Sequence, residues 1–285
     1  MLFYLEACGE DGYIQLLENV LTSGEARKDR TGTGTIECFD ALVSMYPRPD
    51  EVARLTHRFT SFKAGKVEAC WMLKGRTDVK YFNDRGIHIW DRWAGEDGYL
   101  GPVYGHQLRR GKDQLIQVAQ GLKNDPYSRR HFWTMWNPAD LGLMALPPCH
   151  HSAQFYVHNP DVGEDATLDL TFFMRSCDLV LGLPTNLICY SVIQHLMARY
   201  LGITPGVLRA HLGAYHIYNN LRGVADEIVR NADEWYLWKQ DENPRPIISF
   251  DEEAPLEPWL VEPEQIHCTG YKCFTRYDIK DLVSV

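Results

Sequence analysis

The chain has 285 residues, of which 45% are hydrophobic and 24% charged, which is the composition of a globular protein and excludes a disordered or fibrous one. Its 38 acidic and 29 basic residues give a formal net charge of −9, which argues against a protein that binds nucleic acid through a broad basic surface. An anionic ligand must therefore be bound by a local group of arginines. No stretch approaches the roughly 20 apolar residues of a membrane helix, and the N-terminus lacks a secretory signal, so we expect a cytoplasmic protein that needs neither membrane nor nucleic acid.

Hydrophobic spacing predicts alternating helices and strands along the chain. In chain order these are a helix from Tyr13 to Leu21 that stops before Gly24, a strand from Thr31 to Met45, a helix over Val67–Leu73 that ends at Gly75, strands at Gln154–Val157 and Leu168–Phe173, a buried helix at Leu187–Leu201, and an extended proline-rich segment from Asp241 to Pro263. No repeat or linker separates two folding units. We predict one α+β domain over residues 1–285, with a large mixed or antiparallel sheet surrounded by helices.

The eight cysteines are scattered through apolar segments without the paired spacing of a zinc site, so we expect no metal and free thiols. One of them, Cys149, lies in the proline-stiffened segment Leu146-Pro-Pro-Cys-His150, directly before a predicted strand. A rigid backbone and nearby cations are what a nucleophilic thiolate needs. The alternative is that Cys149 is a small buried residue like the other seven, and that the neighbouring His150 points to the opposite face.

Arginines occur beside apolar, strand-like segments at three places. Arg129 and Arg130 precede a His-Phe-Trp segment, Arg175 and Ser176 follow an apolar strand, and Arg30 lies in a glycine- and threonine-rich segment. Guanidinium groups in an otherwise acidic protein indicate a site for phosphate or carboxylate. Paired surface charge is the alternative for each group, and the glycine-rich segment does not match a phosphate-binding loop.

Aromatic and polar residues in apolar surroundings add two further candidates. Trp90 and Trp93 lie close to the turn that contains Tyr104, and flat rings of this kind either fill a core or stack on a heteroaromatic ligand. Asp178 and Asn186 lie in an apolar segment, and a buried asparagine can offer both a donor and an acceptor to the edge of a base.

Taken in order, seven motifs resemble those of the thymidylate synthase family. They are Arg-Thr-Gly-Thr-Gly-Thr (30–35), Ile-Trp-Asp-Arg-Trp (89–93), Leu-Gly-Pro-Val-Tyr-Gly (100–105), Asp-Pro-Tyr-Ser-Arg-Arg (125–130), Leu-Pro-Pro-Cys-His (146–150), Arg-Ser-Cys-Asp-Leu-Val-Leu-Gly-Leu-Pro-Thr-Asn (175–186) and His-Ile-Tyr-Asn-Asn (216–220). The resemblance implies that family's fold, a homodimer, and transfer of a one-carbon unit from 5,10-methylenetetrahydrofolate to C5 of dUMP. If a phage encodes the chain, the expected location is the host cytoplasm.

The same resemblance implies a role for each candidate residue. Cys149 would add to C6 of the pyrimidine, and Glu68, His150, Tyr104 and Asn186 would complete the catalytic group. The residues implied to bind the nucleotide are Arg30, Arg175, Ser176, Asn186, His216 and Tyr218, together with Arg129 and Arg130 from the partner subunit. Those implied to bind the folate are Trp90, Trp93, Leu146, Asp178, Gly182 and Val285. Asparagine at position 186, where a carboxylate would favour cytosine, points to dUMP.

The folate side departs from the family pattern. Thr56-His-Arg-Phe59 replaces the usual Thr-Thr-Lys-Arg, Met174 stands where glutamine is common, and Ala214 lies where the family usually has aspartate in the segment before His216. We therefore keep two alternatives to methylation of dUMP to dTMP. One is hydration of the exocyclic methylene to hydroxymethyl-dUMP, as in phage-type hydroxymethylases, which depends on water entering the site. The other is an inactive relative that binds RNA or a protein partner.

Overall fold

The computed structural model describes residues 5–279. The helices are α1 Gly9–Ser23, α2 Phe62–Leu73, α3 Lys80–Asn83, α4 Gly105–Arg109, α5 Gln114–Asn124, α6 Gly182–Leu201, α7 Arg222–Arg230 and α8 Ala232–Glu242. The strands are β1 Leu5–Cys8, β2 Glu25–Arg27, β3 Thr35–Met45, β4 Phe132–Thr134, β5 His150–His158, β6 Thr167–Asp178, β7 Thr204–Tyr218, β8 Ile247–Phe250 and β9 Ile266–Thr269.

Seven strands of the described chain form one mixed sheet in the order β1-β3-β7-β6-β5-β4, with β2 paired to β3 outside this path. The β3–β7, β5–β6 and β4–β5 pairs are antiparallel, whereas β6–β7 and β1–β3 are parallel. Helices α1 and α6 pack on this sheet, and a continuous hydrophobic core includes residues of the sheet and of both helices. The predicted α+β fold with a large mixed sheet and surrounding helices is confirmed.

The strand predicted from Thr31 begins only at Thr35. The preceding residues form a tight turn closed by the Asp29 carboxylate, which accepts hydrogen bonds from the backbone amides of Thr31 (2.9 Å) and Gly34 (2.7 Å). Gly34 has a φ of 76°, a conformation that favours glycine, so the Gly-Thr alternation read as strand is instead turn chemistry. The segment from Asp241 to Pro263 is largely irregular, but it also contains β8.

Helix α6 is the central helix, as predicted, but it begins at Gly182, earlier than Leu187. Most of its residues are buried, and it ends at Gly202, whose φ of 72° closes the helix in a left-handed cap. Helix α2 crosses it at Gly65, where a Cβ atom would lie 2.5 Å from Cγ2 of Ile188. The absence of a side chain at Gly65 therefore lets the two helices approach closely, and both carry residues predicted for the site.

The face of the sheet away from α6 carries exposed aromatic side chains. On β6, Leu168, Leu170 and Phe172 face the core and are fully buried. On neighbouring strands, Phe132 and Tyr156 remain 44% and 51% exposed. Both lie on the same face because Phe132 pairs with Gln154 and side chains two residues apart on a strand point the same way.

Candidate active site

One cleft of about 330 Å³ brings together nearly all of the residues singled out in the sequence. They come from the turn before β3, from helix α2, from the Trp-rich segment, from the ends of β6 and β7, and from the start of α6. The predicted residues that line the cleft are Arg30, Glu68, Trp90, Trp93, Tyr104, Leu146, Cys149, His150, Arg175, Ser176, Asp178, Gly182, Asn186, His216 and Tyr218. Residues more than a hundred positions apart in the sequence thus lie together in one site.

Cys149 is held from two sides at the start of β5. Its backbone amide donates to the hydroxyl of Tyr104 (3.2 Å), and its carbonyl accepts from the backbone amide of Arg175 (2.9 Å). The Arg175 guanidinium donates to the carbonyls of Pro147 (2.7 Å) and Pro148 (2.9 Å) and lies 3.9 Å from the Cys149 sulfur. The proline segment and the arginine therefore form one rigid unit around the thiol.

The electrostatic environment of Cys149 contains opposing contributions. Burial raises the pKa of the thiol above its usual range, while the positive charges of Arg175 and Arg30 lower it. Burial is the larger contribution, so the pKa of the thiol is raised overall and the thiol is largely protonated at neutral pH. Nucleophilic attack requires its proton to leave as the sulfur adds to the substrate.

Glu68 explains why a carboxylate occurs in an apolar helix. Its side chain projects from α2 into the cleft, where Oε1 accepts from Nε1 of Trp90 (3.3 Å). The second oxygen, Oε2, is buried and has no hydrogen-bond partner within residues 5–279. Burial raises the pKa of this carboxyl to about 7, so it can both hold and release a proton near neutral pH.

His150 lies against Tyr104, whose ring stacks on the imidazole with a centroid separation of 4.5 Å. Tyr104 itself adopts a φ of 26°, which is strained for a residue with a side chain. On its other side the imidazole meets Tyr190 of α6, which the sequence analysis did not single out. Tyr190 stands four residues after Asn186 and so lies on the same helix face, and this spacing is the signal that could have found it.

Asp178 and His216 are neighbours because β6 and β7 pair in parallel, with the two residues opposite each other. Oδ1 of Asp178 accepts from the backbone amides of Val180 (2.8 Å) and Leu181 (3.1 Å), which turns the chain towards α6. Burial raises the pKa of this carboxyl and lowers the pKa of His216. Tyr218, whose pKa burial raises to about 12, stays a neutral donor beside His216.

Asn186 stands in the first turn of α6, is only 8% exposed, and lines the cleft. The side-chain amide of Asn186 makes no hydrogen bond to any other described residue, from Leu5 through Ile279. Because Asn186 lines the cleft, its side-chain amide is within reach of a ligand that enters it. Its donor and its acceptor are both available to a bound base.

Three predicted residues are not placed in this cleft. Arg129 and Arg130 are exposed and precede β4, and the Arg129 carbonyl accepts from the side chain of Gln154 at 3.4 Å. Gln154 is five residues along β5 from Cys149, a separation of roughly 16 Å at about 3.3 Å per residue. Val285, predicted to bind the folate, lies outside the described residues.

The departures on the folate side fall in different places. Met174 is buried and lines the cleft, whereas Phe59 and Ala214 are absent from its described lining. His57 is directed into the interior against Tyr13 and Trp235, with its Nδ1 3.9 Å from the buried Glu10. The second threonine of the family pattern is thus replaced by a buried imidazole.

No group of three or more His, Cys, Asp or Glu side chains in the part of the chain that the structure describes is arranged to hold a metal ion. No helix within residues 5–279 is both long and apolar enough to cross a bilayer. The cleft instead combines a thiol, guanidinium groups and a carboxyl that titrates near neutrality, which are the groups of covalent and acid–base catalysis.

A cleft with these groups is typical of enzymes that form a covalent adduct with an anionic substrate. The thymidylate synthase family model matches residues 11–279 of the 285. The chain belongs to the thymidylate synthase family, and the resemblance drawn from its motifs is confirmed. Members of this family are one-carbon transferases that act on dUMP with methylenetetrahydrofolate as cosubstrate.

Proposed function

We propose that this protein converts dUMP to dTMP by reductive methylation with 5,10-methylenetetrahydrofolate. The observation that carries the proposal is the convergence of Cys149, Arg175 and the unpartnered amide of Asn186 in one cleft. These three groups match the three features of dUMP that the reaction needs to address: the electrophilic C6, the 5′-phosphate, and the uracil edge.

The chemistry begins at Cys149. Its sulfur adds to C6 of the uracil, the C5=C6 electron pair moves towards O4, and the enolate carbon C5 becomes a nucleophile. Bound folate supplies the one-carbon unit and, for methylation, a hydride. Glu68, at a pKa of about 7, exchanges protons with the substrate through water, and His150 and Tyr104 assist at O4 and C5. Release of the thiolate from C6 restores the ring.

Nucleotide binding is assigned to groups around the thiol. Arg30 and Arg175 bind the phosphate with Ser176, since guanidinium groups match its geometry. His216 and Tyr218 bind the sugar hydroxyl as neutral donors, since burial lowers the pKa of the former and raises that of the latter. Asn186 donates to O4 and accepts from N3–H of uracil.

The remaining wall of the cleft fits a reduced folate. The rings of Trp90 and Trp93 are 5.7 Å apart and meet edge to face at 64°, and together with Leu146 they form an angled apolar wall of the cleft. Asp178 offers a carboxylate to the N–H groups of a pterin, and Gly182 leaves room at the start of α6. Val285 remains a proposed contact that would close over the folate.

We also propose a homodimer with shared sites. Arg129 and Arg130 are exposed, Arg129 lies beside Gln154 roughly 16 Å along β5 from Cys149, and neither arginine lines the cleft of its own chain. The sheet face beside them exposes Phe132 and Tyr156. Covering this face with the same face of a second chain would bury these rings and bring the two arginines to the partner's cleft.

Hydroxymethylation of dUMP is the second candidate, and Met174 is the observation that favours it. This residue lines the cleft in place of the glutamine common in the family, so the wall near the nucleophile differs. Water that reaches the exocyclic methylene would compete with hydride and give hydroxymethyl-dUMP.

One experiment separates these outcomes. The purified protein is incubated with dUMP and 5,10-methylenetetrahydrofolate, and the nucleotide is identified by mass and the folate by absorbance, with Cys149→Ala as the control. A methyl product with dihydrofolate supports the proposal, whereas a hydroxymethyl product with tetrahydrofolate establishes the second candidate. No turnover and no covalent trapping by 5-fluoro-dUMP would indicate an inactive relative that acts as a binding protein.

A further inference from the structure

The imidazole of His150 is enclosed by two tyrosines. Tyr104 stacks on it at 4.5 Å with an interplanar angle of 26°, and Tyr190 meets it edge-on at 5.4 Å with an angle of 90°. The hydroxyl of Tyr190 lies 3.0 Å from Nδ1 of His150. Nδ1 therefore faces helix α6, and Nε2 is the ring nitrogen left for the cleft that His150 lines.

Proton accounting fixes the direction of this hydrogen bond. Tyr190 is fully buried, and burial raises its pKa well above the usual value, so the hydroxyl keeps its proton. Among residues 5–279 its hydroxyl has one hydrogen-bond partner, Nδ1 of His150. A buried O–H that donates to nothing is costly, so Tyr190 donates and Nδ1 accepts. Burial also lowers the pKa of His150 to about 3, so the ring is neutral and its single proton resides on Nε2.

We propose that Tyr190 is a positioning residue that holds His150 in the Nε2–H tautomer, so that His150 meets the substrate as a hydrogen-bond donor. The inference deepens the proposed function and rests on it only for the effect on catalysis. A neutral imidazole donor favours a carbonyl oxygen, or a water bound to one, and disfavours an exocyclic amine. The tautomer thus adds to the preference for uracil over cytosine that Asn186 provides.

The position of Tyr190 is itself fixed by packing. Its ring stacks on Phe172 of β6 at 4.0 Å with an interplanar angle of 1°. Phenylalanine at position 190 keeps this stacked ring and removes only the hydroxyl, so Tyr190→Phe is a conservative test. The matched control is Tyr200→Phe, on the same helix, because Tyr200 packs on Trp259 and does not line the described cleft.

The first test reads the tautomer directly in the free protein by ¹⁵N NMR of the histidine side chains. For wild type we expect a pyridine-like Nδ1 and a protonated Nε2 at His150, assigned with the aid of His150→Ala. In Tyr190→Phe we expect a mixture of tautomers, while Tyr200→Phe gives the wild-type signals. A protonated Nδ1 in wild type, or an unchanged His150 in Tyr190→Phe, overturns the proposal. This measurement holds even if the protein does not turn over dUMP, so failure of the proposed function is distinguishable.

The second test reads catalysis. Loss of one oriented hydrogen bond corresponds to about a tenfold decrease in kcat for Tyr190→Phe, with little change in KM for dUMP. In a His150→Ala background the same substitution should cost nothing further, because its effect passes through the imidazole. An equal loss in both backgrounds would show that Tyr190 acts through packing alone and would overturn the proposal.

Discussion

The close contact between α2 and α6 determines where Glu68 stands relative to Asn186. A Cβ atom at Gly65 would lie 2.5 Å from Cγ2 and 2.7 Å from Cβ of Ile188. Since carbon atoms prefer about 3.5 Å, Gly65→Ala must separate the helices by about 1 Å. Cβ of Ile188 is attached to the helix backbone, so a rotamer change cannot relieve the overlap. We expect a loss of about 1–3 kcal/mol in the free energy of unfolding.

The catalytic effect should exceed the effect on folding. A displacement of about 1 Å in a catalytic group can lower the rate by about 10²-fold, so kcat of Gly65→Ala should fall by that order. Thermal unfolding and steady-state turnover of dUMP measure the two effects. The control is Gly223→Ala in α7, where a Cβ meets no atom within 4 Å, and which should keep wild-type kcat. Wild-type kcat in Gly65→Ala would refute the idea that this contact positions Glu68.

The charges and hydrogen-bonding groups of the cleft lead to three further expectations. The pKa of Glu68 rises from about 4.3, the ordinary value of a glutamate in the unfolded chain, to about 7 in the folded protein. The contribution of Glu68 to the free energy of unfolding therefore falls as the pH rises from about 4.3 towards 7. Glutamine does not titrate, so the Tm of Glu68→Gln minus the Tm of wild type should increase between about pH 5 and about pH 8. A Tm difference that does not change with pH would contradict the assigned pKa. Asn186→Asp should shift kcat/KM from dUMP towards dCMP by roughly tenfold or more, measured with both nucleotides, and an unchanged ratio would contradict its role. Mixing Cys149→Ala with Arg129→Ala chains should restore up to about a quarter of wild-type activity, since half of the dimers then carry one intact site of two; no recovery after verified subunit exchange would count against shared sites.

Some residues of the cleft could be predicted because their chemistry is unusual for their surroundings, whereas His216, Tyr218 and Leu146 were predicted only from the family resemblance. Glu68 interrupts an apolar helix, and Cys149 follows two prolines, so each departs from its local pattern. The hydrophobic periodicity of α6 and the alternation of β6 were equally clear, since each element buries a continuous face.

Other features depend on contacts that no local pattern encodes. Strand β7 is the longest in the described sheet, yet glycine and proline interrupt its alternation, and pairing on both sides stabilises it. The turn at Thr31 depends on the carboxylate of Asp29, and the strained φ of Tyr104 depends on the packing around it. The role of Tyr190 depends on which side chain meets its hydroxyl, which only the packed structure shows.

The fastening of Arg175 to the two proline carbonyls links recognition to reactivity. The same guanidinium that is proposed to bind phosphate holds the loop that carries the Cys149 sulfur, with donor–acceptor distances of 2.7 and 2.9 Å. A phosphate bound to this guanidinium would also steady the loop that carries the thiol, so we expect a nucleoside without its phosphate to lose turnover as well as affinity. The 5′-phosphate, although distant from the reacting carbon, would thus influence bond formation at C6 through the loop that carries Cys149.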